Sequence, residues 1–473
     1  MRMTLSDALL KTVLMALAFA AAVLLLRDGM AIGLHVPLDP NEGWNAYHAQ
    51  AAMARQALYP HDLMVNNYPP LSFYIVGILG RSIGDNIVAG RLVSLVSLLA
   101  IGMGLAALLR QIGARVLDGI FAGLFFSAML LIASDYVAMN DPQLLGHALQ
   151  IEALLLLFRP RPATMAAAAL FVAGLFIKHN LIALPLAAFF WSLGRNRREG
   201  LALAGYGAGF AAAGVAVAWI SLGVFLPAEI ASPRLWSLAN LTGAMTRYLS
   251  WAGLPIALTA WLGWRFRRDR WMRFCLVYAG IALGLGLAFS AGDGVDANIF
   301  FDLDIALALS AGLAMQHTRH NWTGGLALAY AAPLLLFLAQ HFADGNFAYT
   351  EAFQKQAPLD IGFLEVNEGP AFCESLSLCY WAGKDEGVDV FNMSEGFKTG
   401  KRSDSGLVRL LNAKFFRTIQ LDSWTQFALG PNVRAALAAH YHIVRVDDNG
   451  VFLAAGERHT APAELLFNAG RRP

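Results

Sequence analysis

The sequence predicts an all-α polytopic membrane protein of about 11 crossings plus a re-entrant segment, followed by a small C-terminal α+β domain. Three observations lead there. First, of 473 residues 57% are hydrophobic and 14% are charged, where a soluble domain carries about 25% charged residues. Second, eleven or twelve strongly apolar segments fill residues 11–343. Third, the acidic residues outside them gather at one set of segment ends. The mean hydropathy is +0.51. The net charge of +2 gives no reason to expect a nucleic-acid partner.

Taken in order, the apolar runs are 11–27, 69–80, 88–109, 116–134, 142–158, 163–178, 180–193, 200–223, 247–264, 272–290, 299–316 and 322–342. A crossing needs roughly 20 apolar residues, and backbone groups in lipid must bond internally, so these runs are read as helices. The first run has no small-residue cleavage site after it and is read as a signal anchor. Basic clusters at Arg110 with Arg115, Arg159 with Arg161, 195–198, 265–273 and 317–320 mark cytoplasmic loops, and Arg2 and Lys11 put the N-terminus on the same side. Working back from Arg159, segment 142–158 begins outside and 116–134 begins inside at Arg115. Segment 69–80 then begins and ends on the outer side, so it is expected to be re-entrant or in-plane; a full crossing would break the charge rule.

This arrangement makes residues 1–343 a membrane module with an outer loop at 28–68, in which 44–57 reads as helix. A second outer loop, 224–246, carries Pro227 and Pro233. Residues 344–473 form a mixed outer domain. Within it, the strand-like run 441–446, the turn Asp447-Asp448-Asn449-Gly450 and the run 451–453 predict a β-hairpin. Cys373 and Cys379 can form a disulfide on an oxidising face, although two unpaired thiols share that spacing. No internal repeat, P-loop, GxSxG elbow or HExxH pair occurs.

Five polar clusters face the outer side. Asp39-Pro40-Asn41-Glu42-Gly43-Trp44 places two carboxylates at a membrane boundary, where an acid can act as general base; Asp39 before proline also reads as a helix cap, and Glu42 as a solvated residue. Asn66-Asn67-Tyr68-Pro69-Pro70-Leu71 fixes an extended entry into an apolar run and turns Asn67 and Tyr68 toward the outer cavity. Asp141, six residues after Asp135, precedes Pro142 at a segment start and is either a cap or a cavity acid. Lys178-His179-Asn180 is a polar break between two apolar arms; a buried lysine beside a histidine suits a phosphate, and a snorkelling lysine is the alternative. In the 292–304 stretch, Asp293, Asp296, Asn298, Asp302 and Asp304 bring acids to the edge of an apolar run, where a divalent cation is one conceivable ligand.

Together these residues resemble integral-membrane glycosyltransferases of the GT-C class, in the bacterial branch related to lipid A aminoarabinose transferase and protein mannosyltransferase. Asn41-Glu42 stands where the family has an acidic pair, Tyr68-Pro69-Pro70-Leu71 matches the diproline motif, Asp141-Pro142 matches an outer Asp that starts a later helix, and Lys178 matches a mid-module lysine. The motifs cover residues 10–190. Asn41 replaces the usual leading aspartate, and Tyr68 replaces a lysine that often precedes the diproline.

The resemblance implies a protein of the bacterial inner membrane with its N-terminus cytoplasmic and its C-terminal domain periplasmic. It implies transfer of a sugar from a polyprenyl-phosphate donor to a lipid, glycan or protein acceptor at the outer face. On that expectation Glu42, Asp39 and Asp141 are catalytic, with Glu42 or Asp39 as base, and Lys178, His179, Tyr68, Asn67, Asn298 and Asp302 bind substrate. The donor already carries its phosphate leaving group, so no cofactor is obligatory. A secondary transporter or lipid-linked sugar flippase, coupled through Asp302 and Asp304, is the alternative.

Overall fold

The computed structural model describes residues 4–60, 63–231, 234–318, 320–343, 350–385, 387–424, 428–447 and 450–456. Seven described helices are long and apolar enough to cross a membrane: Leu5–Ala31, Asn86–Gln111, Val116–Ala138, Arg197–Leu222, Arg270–Ser290, Ala297–His317 and Asn321–Ala343. Helix Leu238–Arg265 is comparably long at 28 residues and carries Pro255. Shorter apolar helices are Leu71–Ile83, Gln143–Leu157, Thr164–Ile177 and Ala183–Arg195.

Helix Phe301–His317 lies at the centre. Residues 301–315 are all buried, which is the mark of a helix apolar on every side. The bundle packs around it, with Phe121, Phe125, Phe274 and Tyr278 in one continuous core. Helices Gln143–Leu157 and Thr164–Ile177 pair closely where two glycines meet. A Cβ on Gly174 would stand 3.1 Å from the Gly146 carbonyl oxygen, so the small residues set the helix separation. Polar side chains start several helices. Asp85 Oδ1 accepts the N–H groups of Ile87 (2.7 Å) and Val88 (3.2 Å), capping the long helix at Asn86.

Some expected boundaries shift. The first outer loop holds helix Asn41–Ala54, which starts three residues before 44. The expected loop 224–246 is shorter, because Leu226–Ile230 is a helix and the long helix already starts at Leu238. Pro233 and the 343/344 boundary lie outside the described residues. Helix Leu71–Ile83 spans 13 residues, about 20 Å at 1.5 Å per residue, against a hydrocarbon core of roughly 30 Å.

The C-terminal region forms a four-stranded sheet from β1 (Ala371–Cys373), β2 (Thr418–Leu421), β3 (Tyr441–Asp447) and β4 (Gly450–Ala455). The order is β1-β2-β4-β3, with β1 parallel to β2 and the other pairs antiparallel. The hairpin expected at 441–453 is β3 and β4; its turn residues Asp448 and Asn449 lie outside the described residues. Cys373 and Cys379 form a disulfide. It closes the loop that starts the short helix Leu376–Trp381, which packs on Asn41–Ala54. There Gly43 meets the backbone of Leu376 and Ser377 so closely that a Cβ would collide with it. Tyr47 donates to the Lys384 carbonyl (2.7 Å) and Trp381 Nε1 to Asp85 Oδ2 (2.9 Å). The C-terminal region is thereby fastened to the middle of helix Asn41–Ala54 and to the capped start of helix Asn86–Gln111.

Candidate functional site

Between the bundle and the C-terminal region lies a cavity of ≈ 340 Å³. Its walls come from four distant stretches: Asn41, Trp44 and Asn45; Asn67 and Tyr68; Tyr136 and Asp141; and Lys178, His179 and Asn180. Arg234, Asp296 and Asn298, with Phe391 and Asn392 of the C-terminal region, also line it. The fold thus brings Asn67, Tyr68, Asp141, Lys178, His179 and Asn298 to one place.

Lys178 follows the last residue of helix Thr164–Ile177 and takes an extended backbone. Its Nζ donates to Asp141 Oδ2 (3.2 Å) and Gln143 Oε1 (2.9 Å) and lies 5.1 Å from the Tyr68 ring centroid. Asp141 therefore already matches the lysine charge. Asp141 Oδ1 also accepts the Gln143 N–H (2.8 Å). This is the cap anticipated from Pro142, so the same acid caps a helix and lines the cavity. Gln143 Nε2 donates to the Asn298 carbonyl (2.6 Å), joining this cluster to the start of the central helix.

Arg234 is placed differently. Its guanidinium stacks on Phe391 (5.2 Å), and Nη1 donates to the carbonyls of Asp293 (2.9 Å) and Gly294 (3.1 Å). Among the described residues no carboxylate forms an ion pair with it. A cation on carbonyls alone keeps its full charge for an arriving anion.

Asp39 does not line the cavity, but Asn41 does. Asp39 Oδ1 accepts the Asn41 N–H (2.8 Å), as a residue capping the start of helix Asn41–Ala54 should. Burial, together with the charges of Asp296, Glu42 and Asp141, raises its pKa to about 7. Asp296, in the cavity wall, accepts the Tyr136 hydroxyl (2.6 Å).

Glu42 does not fit the role of base. It is 0% exposed. Arg91 grips it with Nε to Oε1 and Nη2 to Oε2, both at 2.7 Å. Oε2 also accepts the Leu38 N–H (3.1 Å) and Oε1 the Asn140 N–H (3.0 Å). Its acceptor positions are filled, and nothing of it faces the cavity. The remaining Arg91 N–H groups go to the carbonyls of Ala31 (2.7 Å), Leu34 (2.6 Å) and Val36 (2.7 Å), so all five donors are used. The pair is a clamp that fixes the chain after the first helix.

Asp302 also departs from expectation. It is buried, accepts the Tyr278 hydroxyl (2.7 Å) and lines a small neighbouring pocket with Gln143 and Asn180 rather than the main cavity. Asp304 accepts from Tyr248 instead (2.5 Å), so the two acids engage separate tyrosines. Asp135 pairs with Arg27, and Asp293 with Lys398 (3.1 Å). Among the described residues no group of three His, Cys, Asp or Glu side chains is placed to hold a metal ion.

No protein-family profile and no curated protein matches the chain. Two solved structures do. One is ArnT from Cupriavidus metallidurans bound to undecaprenyl phosphate, with a TM-score of 0.60 at 15% identity. The other is the same protein in the apo state, with a TM-score of 0.59 at 16% identity. Each comparison covers 93% of this chain and 99% of the other. The chain has the fold of ArnT. The helical membrane architecture with a small C-terminal sheet that the sequence predicts is the one found. The likeness to ArnT extends into the C-terminal region, which lies beyond the residues that carry the sequence motifs.

Sequence reading passed over Arg91, Arg234 and Tyr136. Arg91 left a signal, a lone arginine inside an apolar run, which is costly unless paired. Arg234 left none, because it sits in an ordinary Pro-Arg-Leu-Trp loop sequence.

Proposed function

We propose that this protein is a glycosyltransferase of a bacterial inner membrane that moves a sugar from a polyprenyl-phosphate donor to an acceptor at the outer face. The observation that carries this reading is Arg234, a cation that lines the cavity and, among the described residues, has no carboxylate partner. An adjoining groove supports it. This groove of ≈ 350 Å³ is lined by Pro70, Leu71, Tyr74, Phe176 and Phe210. It begins two residues from Tyr68 and suits an isoprenoid tail. The sidedness follows from the basic loops: eleven crossings, a re-entrant Leu71–Ile83, and an outer C-terminal region.

In this reading the acceptor hydroxyl attacks the anomeric carbon. Its proton passes toward Asp39, which lies behind the cavity wall within reach of the charges of the lining acids Asp296 and Asp141 and whose raised pKa, about 7, suits a base. The bond from the anomeric carbon to the phosphate oxygen breaks, and that oxygen keeps the electron pair. Arg234 meets the charge on the departing phosphate, assisted by the dipoles of Asn180 and Asn67. Lys178 holds Asp141 in place, and Asp141 shapes the wall beside the sugar. Glu42 positions the segment that carries Asp39.

Transfer of radiolabel from a lipid-linked sugar tests this. D39N should lower turnover about 10²- to 10⁴-fold, and R234A should weaken undecaprenyl phosphate binding by on the order of tenfold. Normal turnover by both variants would refute the assignment.

A further inference from the structure

Arg234 is held from two sides. On one side, the residues after it pair with the 291–293 loop: the Asp293 N–H donates to the Leu235 carbonyl and the Ser237 N–H to the Ala291 carbonyl, both at 2.8 Å. That pairing brings the Asp293 and Gly294 carbonyls to Nη1, at 2.9 and 3.1 Å. On the other side is Phe391, at the start of helix Val390–Lys398 in the C-terminal region. Its ring centroid lies 5.2 Å from the guanidinium carbon. The ring is seated on Gly294, where φ is +64° and a Cβ would stand 2.2 Å from Phe391 Cζ. Glycine thus serves both the backbone turn and the ring there.

Helix Val390–Lys398 is itself tied down at both ends. Asn392 Oδ1 accepts Asn67 Nδ2 (3.1 Å), and Asn392 Nδ2 donates to Asp389 Oδ2 (2.8 Å), which also accepts Trp44 Nε1 (2.9 Å). At the far end, Lys398 Nζ reaches Asp293 Oδ2 (3.1 Å), on the residue whose carbonyl holds Arg234. The helix therefore acts on Arg234 directly through the ring and indirectly through the loop. A long arginine side chain gives up much rotamer freedom when it is fixed. Two carbonyls on a single Nη leave part of that freedom, and an aromatic face against the guanidinium plane removes more of it. Unlike a carboxylate, the ring does this without neutralising the charge.

We propose that Phe391 is the positioning residue for Arg234: the C-terminal region supplies the face that aims this cation into the cavity, and anion affinity there depends on that region being seated. What Arg234 meets rests on the transfer reading above; that Phe391 holds it rests on the contacts alone. Phe391 is 38% exposed, so its replacement leaves no buried hole.

Two readouts on the full chain in phosphatidylcholine nanodiscs test this. The first uses no substrate: mass spectrometry follows the rate at which phenylglyoxal modifies Arg234. F391L should raise that rate, and F391W, which keeps an aromatic face, should not. The second compares the affinities for undecaprenyl phosphate and undecaprenol. F391L should weaken undecaprenyl phosphate binding by about three- to fivefold, the reach of a part-exposed cation–π contact. It should leave undecaprenol unchanged and add nothing to the loss in R234A, and F391W should restore binding. Should F391L not fold, F391M, which keeps apolar bulk without an aromatic face, is read the same way. Unchanged Arg234 reactivity, an equal loss of undecaprenol, or a full further loss on adding F391L to R234A overturns the proposal. If the unaltered protein does not bind undecaprenyl phosphate while F391L still exposes Arg234, the transfer reading falls and the Phe391 assignment stands.

Discussion

Asp39 and Arg234 divide the chemistry between them, and each gives a measurable signature. A base must be deprotonated to work. With the Asp39 pKa raised to about 7, kcat/KM should climb with pH through neutrality and level off above it. D39N should remove that slope, and a profile still rising through neutrality in D39N would assign the proton to another group. Arg234 predicts a different pattern. R234K should retain part of the undecaprenyl phosphate binding that R234A loses, since charge survives while the fork of donors does not. Glu42 belongs to stability. E42Q leaves the fully buried Arg91 without its counter-charge, which should cost about 3–5 kcal/mol, seen as a lower melting temperature of the purified protein. Sequence reading singled out the acidic segment but could not rank its two carboxylates. Asp39 and Glu42 are three residues apart, and only the distant Arg91 and Asn140 decide which of them is enclosed.

Helix Asn41–Ala54 is the element on which the site turns. It presents Asn41, Trp44 and Asn45 to the cavity and receives the disulfide-closed loop of the outer region on another face. Gly43 makes that seat possible. G43V should push the loop off, lower the melting temperature, and reduce transfer by moving Trp44 away from Asp389. An unchanged melting curve would show that the seat carries no stability. Much of this level was readable. Apolar runs of full length came out as helices, and the 441–453 alternation came out as paired strands. Helix ends were less readable. Leu238–Arg265 starts nine residues before the apolar run at 247, where Ser237 caps it by accepting the Ala239 N–H (3.1 Å) in a stretch of mixed polarity.

At the scale of the whole molecule, the basic loops and the acidic ends predict opposite faces. A cysteine placed at Lys401 should react with a membrane-impermeant maleimide in intact cells, and one placed at Arg198 should react only after lysis. The reverse pattern would invert the topology. Charge segregation carries this expectation, because orientation depends on loop composition and not on packing. The convergence of Tyr68, Asp141 and Lys178 was legible only through motif order; the share of Phe391 and Asn392 in the same cavity was not, because they stand more than 300 positions from Tyr68. The Arg91 clamp has a consequence for how the chain is made. An arginine with five donors is a heavy load to carry into lipid alone, and its acceptors all lie on the stretch between Ala31 and Glu42. Insertion of that helix and collapse of the preceding stretch are therefore one event during biogenesis, and a ribosome-bound intermediate arrested before both have emerged should leave this hairpin unsettled in the translocon.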